Sequence, residues 1–277
     1  MRRRIALSVL LASTVLAWPS PAAAAVSSEV DGDVLRVTGT DGIDVVEIRC
    51  DGGDVMINDR NPGTGPFACS DLGGIVVDAN AGSDVLYMDQ VVPIDFPGLT
   101  TIRVNGGGGN DTFKGTPGDD ELNGGDGNDR FYASPGSDQL SASTGDDLLI
   151  IEALGDVTLT DTSLLTVDGT STVSGFEDGH FTMLVGGGLR FDASGFRGNT
   201  VMEGERGADR LIGAVGRDFI NAGGGQDRVV GNGGDDYLNG EGGADVLLAG
   251  PGNDRIFGGP GNDRCRGGPG DNLIYDC

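Results

Sequence analysis

The chain has 277 residues, with 52 Gly, 43 Asp and Glu against 18 Lys and Arg, one His, and a formal net charge of −25. Phosphate contacts need clustered Lys and Arg, so nucleic-acid binding through a basic surface is excluded. Aromatic residues, at 5%, are too few for a conventional aromatic-rich core, and so much Gly means either a disordered acidic polymer or a regular repeat.

Residues 1–25 read as a secretory signal peptide. Arg2, Arg3 and Arg4 start it, an apolar stretch runs from Ile5 to Trp18, and Ala22 to Ala25 offer a cleavage site. About 14 apolar residues fall short of the ~20 that a spanning helix needs, so no membrane span is expected. Its removal takes away three Arg and no acid, moving the charge from −25 to −28. Residues 26–105 alternate apolar and polar in VLRVTG, DVVEIRC, DVMIND, GIVVDAN, DVLYMD and TTIRVN. That pattern predicts a β-solenoid-like region of strands and short turns, with an interruption from Val91 to Pro97.

An even count of cysteines in an exported chain favours disulfides. Cys50, Cys69, Cys265 and Cys277 allow three connectivities, and the sequence-local one, Cys50 with Cys69 and Cys265 with Cys277, is expected. A Cys-ligated zinc site lacks any close CxxC pair.

From Gly106 the chain falls into nonamers: GGGGNDTFK, GTPGDDELN, GGDGNDRFY, ASPGSDQLS and ASTGDDLLI, ending at Ile150. Residues 151–203 return to alternating strands such as VTLTD, LLTVDG, FTMLVGG and LRFDAS, a linker region of the same style. From Gly204 the nonamers resume as GERGADRLI, GAVGRDFIN, AGGGQDRVV, GNGGDDYLN, GEGGADVLL, AGPGNDRIF, GGPGNDRCR and GGPGDNLIY. The fourth position is Gly in all 13 units, the sixth is Asp in 12, with Asn272 the exception, and the eighth is apolar throughout. Gly permits tight turns with positive φ, and the last three residues can form a short strand whose middle side chain turns inward. Stacked eighth positions, from Phe113 to Ile274, would build one narrow core. The two blocks start 98 residues apart, not a multiple of nine, so the middle segment must absorb an offset through a bulge or a longer loop.

These units resemble the hemolysin-type calcium-binding repeat, the RTX nonapeptide. The resemblance is strong over 106–150 and 204–275 and weaker at GTDGIDVVE from Gly39 and ANAGSDVLY from Ala79. It implies an all-β, elongated parallel β-roll or β-helix solenoid in which two nonamers make one coil. It further implies Ca2+ held between the turns of units i and i+2. The implied ligands are the carboxylates of Asp111, Asp120, Asp129, Asp138, Asp147, Asp209, Asp218, Asp227, Asp236, Asp245, Asp254 and Asp263. Backbone at Gly107, Gly109, Gly118, Gly127, Gly225, Gly234, Gly243, Gly252 and Gly261 would complete the set.

Coils ~4.8 Å apart would bring neighbouring carboxylates to a repulsion of ~3.5 kcal/mol per pair at an effective dielectric of 20. A hard cation with oxygen ligands reverses that sign, and a donor set without His or Cys fits calcium better than zinc or copper. The competing reading is plain Asp-Gly turns in which Asp bonds its own backbone; it is preferred for Asp44 and Asp84. For the two blocks it is set aside, because such turns do not require Gly two residues before every Asp.

No HExxH and no GxSxG occurs, and His180 is the only His, so no enzyme is expected. The best catalytic lead is Glu177, Asp178, Gly179 and His180, which would suit a polysaccharide lyase or epimerase; it is read instead as an exposed polar turn. The expected protein is a secreted, bacterial, extracellular calcium-binding module with a structural or adhesive role and a cell-surface or polysaccharide partner.

Overall fold

A computed structural model describes residues 26–183 and 188–277. The expected signal peptide, residues 1–25, lies outside the described residues. The chain winds as an all-β solenoid with two long, mostly parallel sheets of 14 and 12 strands. Among the described residues the one helical element is a three-residue 3-10 turn, Cys69–Asp71.

The nine-residue period explains the winding. Each unit contributes one short strand, successive strands go to opposite sheets, and two units close a coil. Neighbouring coils therefore pair residues 18 apart, as in Phe113↔Phe131, Leu122↔Leu140, Val229↔Leu247 and Leu238↔Ile256. A period-two strand sends its eighth-position residue inward and both neighbours outward. From Phe113 to Ile256 every eighth-position side chain is at most 3% exposed. Cys265 is half-buried, and Ile274, on the final strand, is 45% exposed. Phe113 and Phe131 stack inside at 4.5 Å between ring centroids, so two aromatic side chains fill two successive coils.

The N-terminal region closes both sheets with antiparallel hairpins. Ser27–Asp31 pairs with Val34–Thr38 at the end of the first sheet, and Val45–Asp51 pairs with Asp54–Ile57 at the end of the second. The outer strand of each hairpin, Ser27–Asp31 and Asp54–Ile57, is the edge strand of its sheet. Cys50 is joined to Cys69 across 6.0 Å between Cα atoms, tying that end hairpin to the 3-10 turn. Cys265 is joined to Cys277, so both sequence-local pairings are present. The Val91 to Pro97 interruption is a loop that buries Val91 and Phe96.

The offset between the blocks is absorbed in two ways. In the first sheet the chain makes three strands where a regular coil makes one: Val157–Thr160, Ser163–Leu165 and Thr170–Ser174, paired antiparallel in sequence. A bulge between Thr158 and Thr160 adjusts the return to the next coil. In the second sheet the register slips by two residues, so that Ile151, Phe181, Met202 and Ile220 align. Eighth-position Leu149 then aligns, through Gly179 and Thr200, with sixth-position Asp218. A slip of two preserves which face each side chain takes, whereas a slip of one would invert the core. The run Glu177 to His180 is accordingly not a turn: Asp178–Met183 is a strand of the second sheet.

Candidate cation sites

The sixth-position carboxylates line the two edges of the solenoid in columns. Along the turns that enter the second sheet, the Asp44 N–H donates to Asp84 Oδ1 at 2.8 Å and the Asp84 N–H to Asp111 Oδ1 at 2.8 Å. Asp111 donates likewise to Asp129 at 2.8 Å, and Asp129 to Asp147 at 2.7 Å. The Asp147 N–H then finds Glu177 Oε2 at 2.9 Å. Beyond the slip the column resumes with Asp218, Asp236 and Asp254, and the Asp254 N–H ends on Asn272 Oδ1 at 2.9 Å. On the opposite edge Asp209, Asp227, Asp245 and Asp263 form the same ladder at 2.7–2.9 Å. Asp120 and Asp138 form a short one that ends on Ser171 Oγ.

Each ladder bond uses one carboxylate oxygen. The other, Oδ2 of Asp84, Asp111, Asp129, Asp147, Asp209, Asp218, Asp227, Asp236, Asp245 and Asp254, is buried with no hydrogen-bond partner, as is Oδ1 of Asp44, whose Oδ2 accepts from Thr40. These residues are at most 2% exposed. An unpaired buried polar atom costs about 1–3 kcal/mol, and more when charged, so such a column needs a partner.

Asn272 shows what that partner must bond. Its Oδ1 keeps the ladder contact, while its Nδ2 donates to the carbonyls of Gly268 at 3.0 Å and Gly270 at 3.4 Å. At the Asp positions the equivalent atom is an oxygen, which cannot donate to turn carbonyls. A cation bridging carboxylate and carbonyl oxygens meets the same need. Among the described residues no three His, Cys, Asp or Glu side chains converge to hold a metal. Any ion here therefore draws on one or two carboxylates and otherwise on backbone, the donor set of a hard cation.

The expected sites are not equivalent. Thr116 donates its N–H and its hydroxyl to Asp120 at 2.7 and 2.9 Å, and Ser134 Oγ donates to Asp138 at 3.2 Å. Those two carboxylates are satisfied without an ion. Asp44 makes a local turn, accepting the Thr40 N–H at 2.6 Å, yet Asp84 has no such bond and heads the same column as Asp111. The plain-turn reading thus fits Asp44 in part and leaves Asp84 unexplained. Glu177 extends the column without any nonamer around it, which no spacing rule reveals.

The fourth-position glycines have a simpler cause than ligation. A Cβ at Gly109, Gly127, Gly225, Gly234, Gly243, Gly252 or Gly261 would fall on the carbonyl oxygen of the preceding coil: Gly82, Gly109, Gly207, Gly216, Gly225, Gly234 or Gly243. Gly107 meets the Asn80 carbonyl in the same way, whereas Gly118 has nothing closer than 3.6 Å. Coil stacking alone therefore demands Gly at these turns, against the expectation that plain turns would not. The orphaned oxygens, rather than the glycines, point to a cation.

Burial pushes the carboxyl pKa up to about 6 at Asp111, Asp129 and Asp227 and to about 7 at Asp218 and Asp236, with hydrogen bonds from neighbouring backbone opposing it. A carboxyl whose pKa is raised by folding binds more protons folded than unfolded, so it destabilises progressively as pH rises from about 4 to about 7. The metal-free chain is expected to melt several degrees higher at pH 5 than at pH 7.5. With calcium present the order should invert, because protons and the ion compete for the same oxygens. Thermal melts by circular dichroism with and without EDTA read both signs, and a metal-free chain that melts lower at pH 5 would contradict the assignment.

The protein-family model described as RTX calcium-binding nonapeptide repeat (4 copies) matches residues 105–140, 132–150, 194–229, 222–255 and 239–274. No curated protein matches the chain.

Proposed function

Because the chain carries RTX calcium-binding nonapeptide repeats between residues 105 and 274, we propose that it is a secreted calcium-binding module whose coils fold on taking up the ion and that acts outside the cell in a structural or adhesive role. RTX-type repeats are structural, non-catalytic modules. The observation that supports calcium is the row of buried carboxylate oxygens with no partner. Bound there, the ion would supply positive charge and several oxygen contacts at once, cancelling the repulsion between coils. The chain's own part is to hold the carboxylates in register through the Asp-to-Asp ladder and to keep their free oxygens out of water.

On this proposal residues 106–150 and 204–277 are the main calcium-responsive segments, and 26–105 and 151–203 belong to the same solenoid with only Asp44, Asp84 and Glu177 standing in the column there. Export to the extracellular space rests on the sequence of residues 1–25. Among the described residues no helix is long and apolar enough to cross a membrane.

Calorimetric titration of the exported chain tests the reading, together with two isosteric variants. Asp236→Asn keeps the acceptor for the Asp218 N–H and removes the charge, and is expected to weaken binding and lower the calcium-bound Tm by about 5 °C or more. Asp120→Asn, at a carboxylate already satisfied by Thr116, should change Tm by less than about 2 °C. Equal effects would mean that the orphaned oxygens do not mark the ion sites.

A further inference from the structure

The outer face of the second sheet carries a feature that the calcium reading leaves unused. Strand register places Ile150, His180, Val201, Phe219 and Tyr237 in one row across five successive strands. Phe219 and Tyr237 stack almost parallel, with ring centroids 4.6 Å apart and planes 4° apart, and a tilted contact at 36° links Tyr237 to Phe257, which stacks on Tyr275. On its other side Phe219 faces the strand of Val201, whose short side chain is 37% exposed. His180 and Phe219 are thus two strand spacings apart, roughly 9.6 Å, with a small apolar floor between them. Phe219 is itself 45% exposed and lines the groove over that floor.

A groove of about 520 Å³ opens at this point, lined by Leu148, His180, Val201, Phe219 and Tyr237, with Asp178, Asn199 and Arg217 along one edge and the column carboxylate Asp218 bordering it. The edge is ordered: Asn199 Nδ2 donates to Asp178 Oδ1 at 2.9 Å, and the Arg217 N–H donates to Asn199 Oδ1 at 2.9 Å. The Arg217 guanidinium has no ion-pair partner among the described residues. His180 contributes part of the groove wall, and its Nε2 is buried without a hydrogen-bond partner. An apolar recess with a few convergent polar groups is the general form of a small-ligand site.

We propose that this groove binds one pyranose ring of a neutral polysaccharide, with a C–H face of the sugar on Phe219 and its hydroxyls on Asp178 and Arg217. Sugar hydroxyls both donate and accept, so they suit a rim that offers a carboxylate and a guanidinium together. A flat aromatic ligand would leave Asp178 and Arg217 unpaired on binding, at a cost. An anionic polymer would meet Asp178 and the field of a chain with net charge −25. A neutral glycan meets neither objection. This deepens the adhesive part of the function proposed above, and the two fail separately: calcium dependence is read from folding, sugar binding at constant calcium.

The test uses the full exported chain at millimolar calcium, with calorimetry against hexasaccharides of β-1,4-glucan, β-1,3-glucan, β-1,4-mannan, α-1,4-glucan and a uronate. At least one neutral hexasaccharide is expected to bind. Phe219→Ala and Arg217→Ala should each weaken it about tenfold or more. Phe257→Ala, linked to the same aromatic stack but outside the groove, should leave affinity unchanged, and all three variants should keep the wild-type circular dichroism. Should Phe219→Ala fail to fold, Arg217→Ala alone decides. Binding to no neutral sugar, binding to the uronate only, or unchanged affinity in Arg217→Ala would each overturn the proposal.

Discussion

Stripping calcium with excess EDTA at pH 7.5 and low salt is expected to remove roughly half or more of the chain's β-sheet circular dichroism, and millimolar calcium should restore it. The reason is electrostatic and cumulative. Each pair of neighbouring column carboxylates repels by ~3.5 kcal/mol at coil spacing, against ~5–15 kcal/mol of net stability in a typical domain. The eight-unit block carries two such columns, with orphaned oxygens at Asp209, Asp227 and Asp245 on one edge and Asp218, Asp236 and Asp254 on the other. Its core is two facing rows of eighth-position side chains with a few buried alanines beside them, too thin to absorb several such terms. The N-terminal coils should survive, because two hairpins and the Cys50–Cys69 disulfide close them and only Asp44 and Asp84 stand in the column there. Magnesium should restore less signal than calcium, since it holds its waters and demands a compact octahedron. An identical spectrum in EDTA and in calcium would end the ion-dependent account.

The second large effect concerns backbone approach rather than charge. Gly225→Ala and Gly243→Ala are expected to destabilise the calcium-bound chain by about 3–5 kcal/mol or to prevent folding of the second block. In each case the new Cβ would land on a carbonyl of the neighbouring coil, Gly207 or Gly225, with no flexible side chain to give way. The adjacent Gly224→Ala and Gly242→Ala, whose added Cβ would meet nothing within 4 Å, should stay within about 0.5 kcal/mol of wild type. Urea unfolding in calcium measures all four. Equal losses within a neighbouring pair would show that glycine serves chain flexibility there and not coil contact.

Much of the fold is legible in the nonamers because the repeat acts through local rules. Gly at the fourth position and an apolar eighth position recur every nine residues and set short strands with inward side chains, while two units per coil, implied by the resemblance, is seen in the 18-residue register. The carboxylate columns are legible for the same reason. What local pattern does not carry is any contact made across an interrupted period. Asp84 joins the Asp111 column from 27 residues away, Glu177 continues it from a segment with no repeat, and Ser171 closes the opposite ladder. The difference between Asp120 and Asp236 also escapes the motif. It rests on whether the second position of the unit carries a hydroxyl, as at Thr116 and Ser134, and whether that hydroxyl reaches the carboxylate.

The excess of Gly and Asp in the composition, read at a spacing of nine, was enough by itself to point to a β-solenoid with acidic turns and a thin apolar core, and the resemblance to the RTX repeat implied two nonamers per coil. Steric freedom at Gly and alternation along a strand are properties of a few consecutive residues, and they act wherever the motif occurs. Only the tertiary structure decided which carboxylate oxygens are left without a partner, how two blocks out of phase share one pair of sheets, and that His180, Val201 and Phe219 stand side by side. Those depend on register between strands 18 to 33 residues apart in sequence, and a two-residue slip in the middle coils resets it for everything downstream.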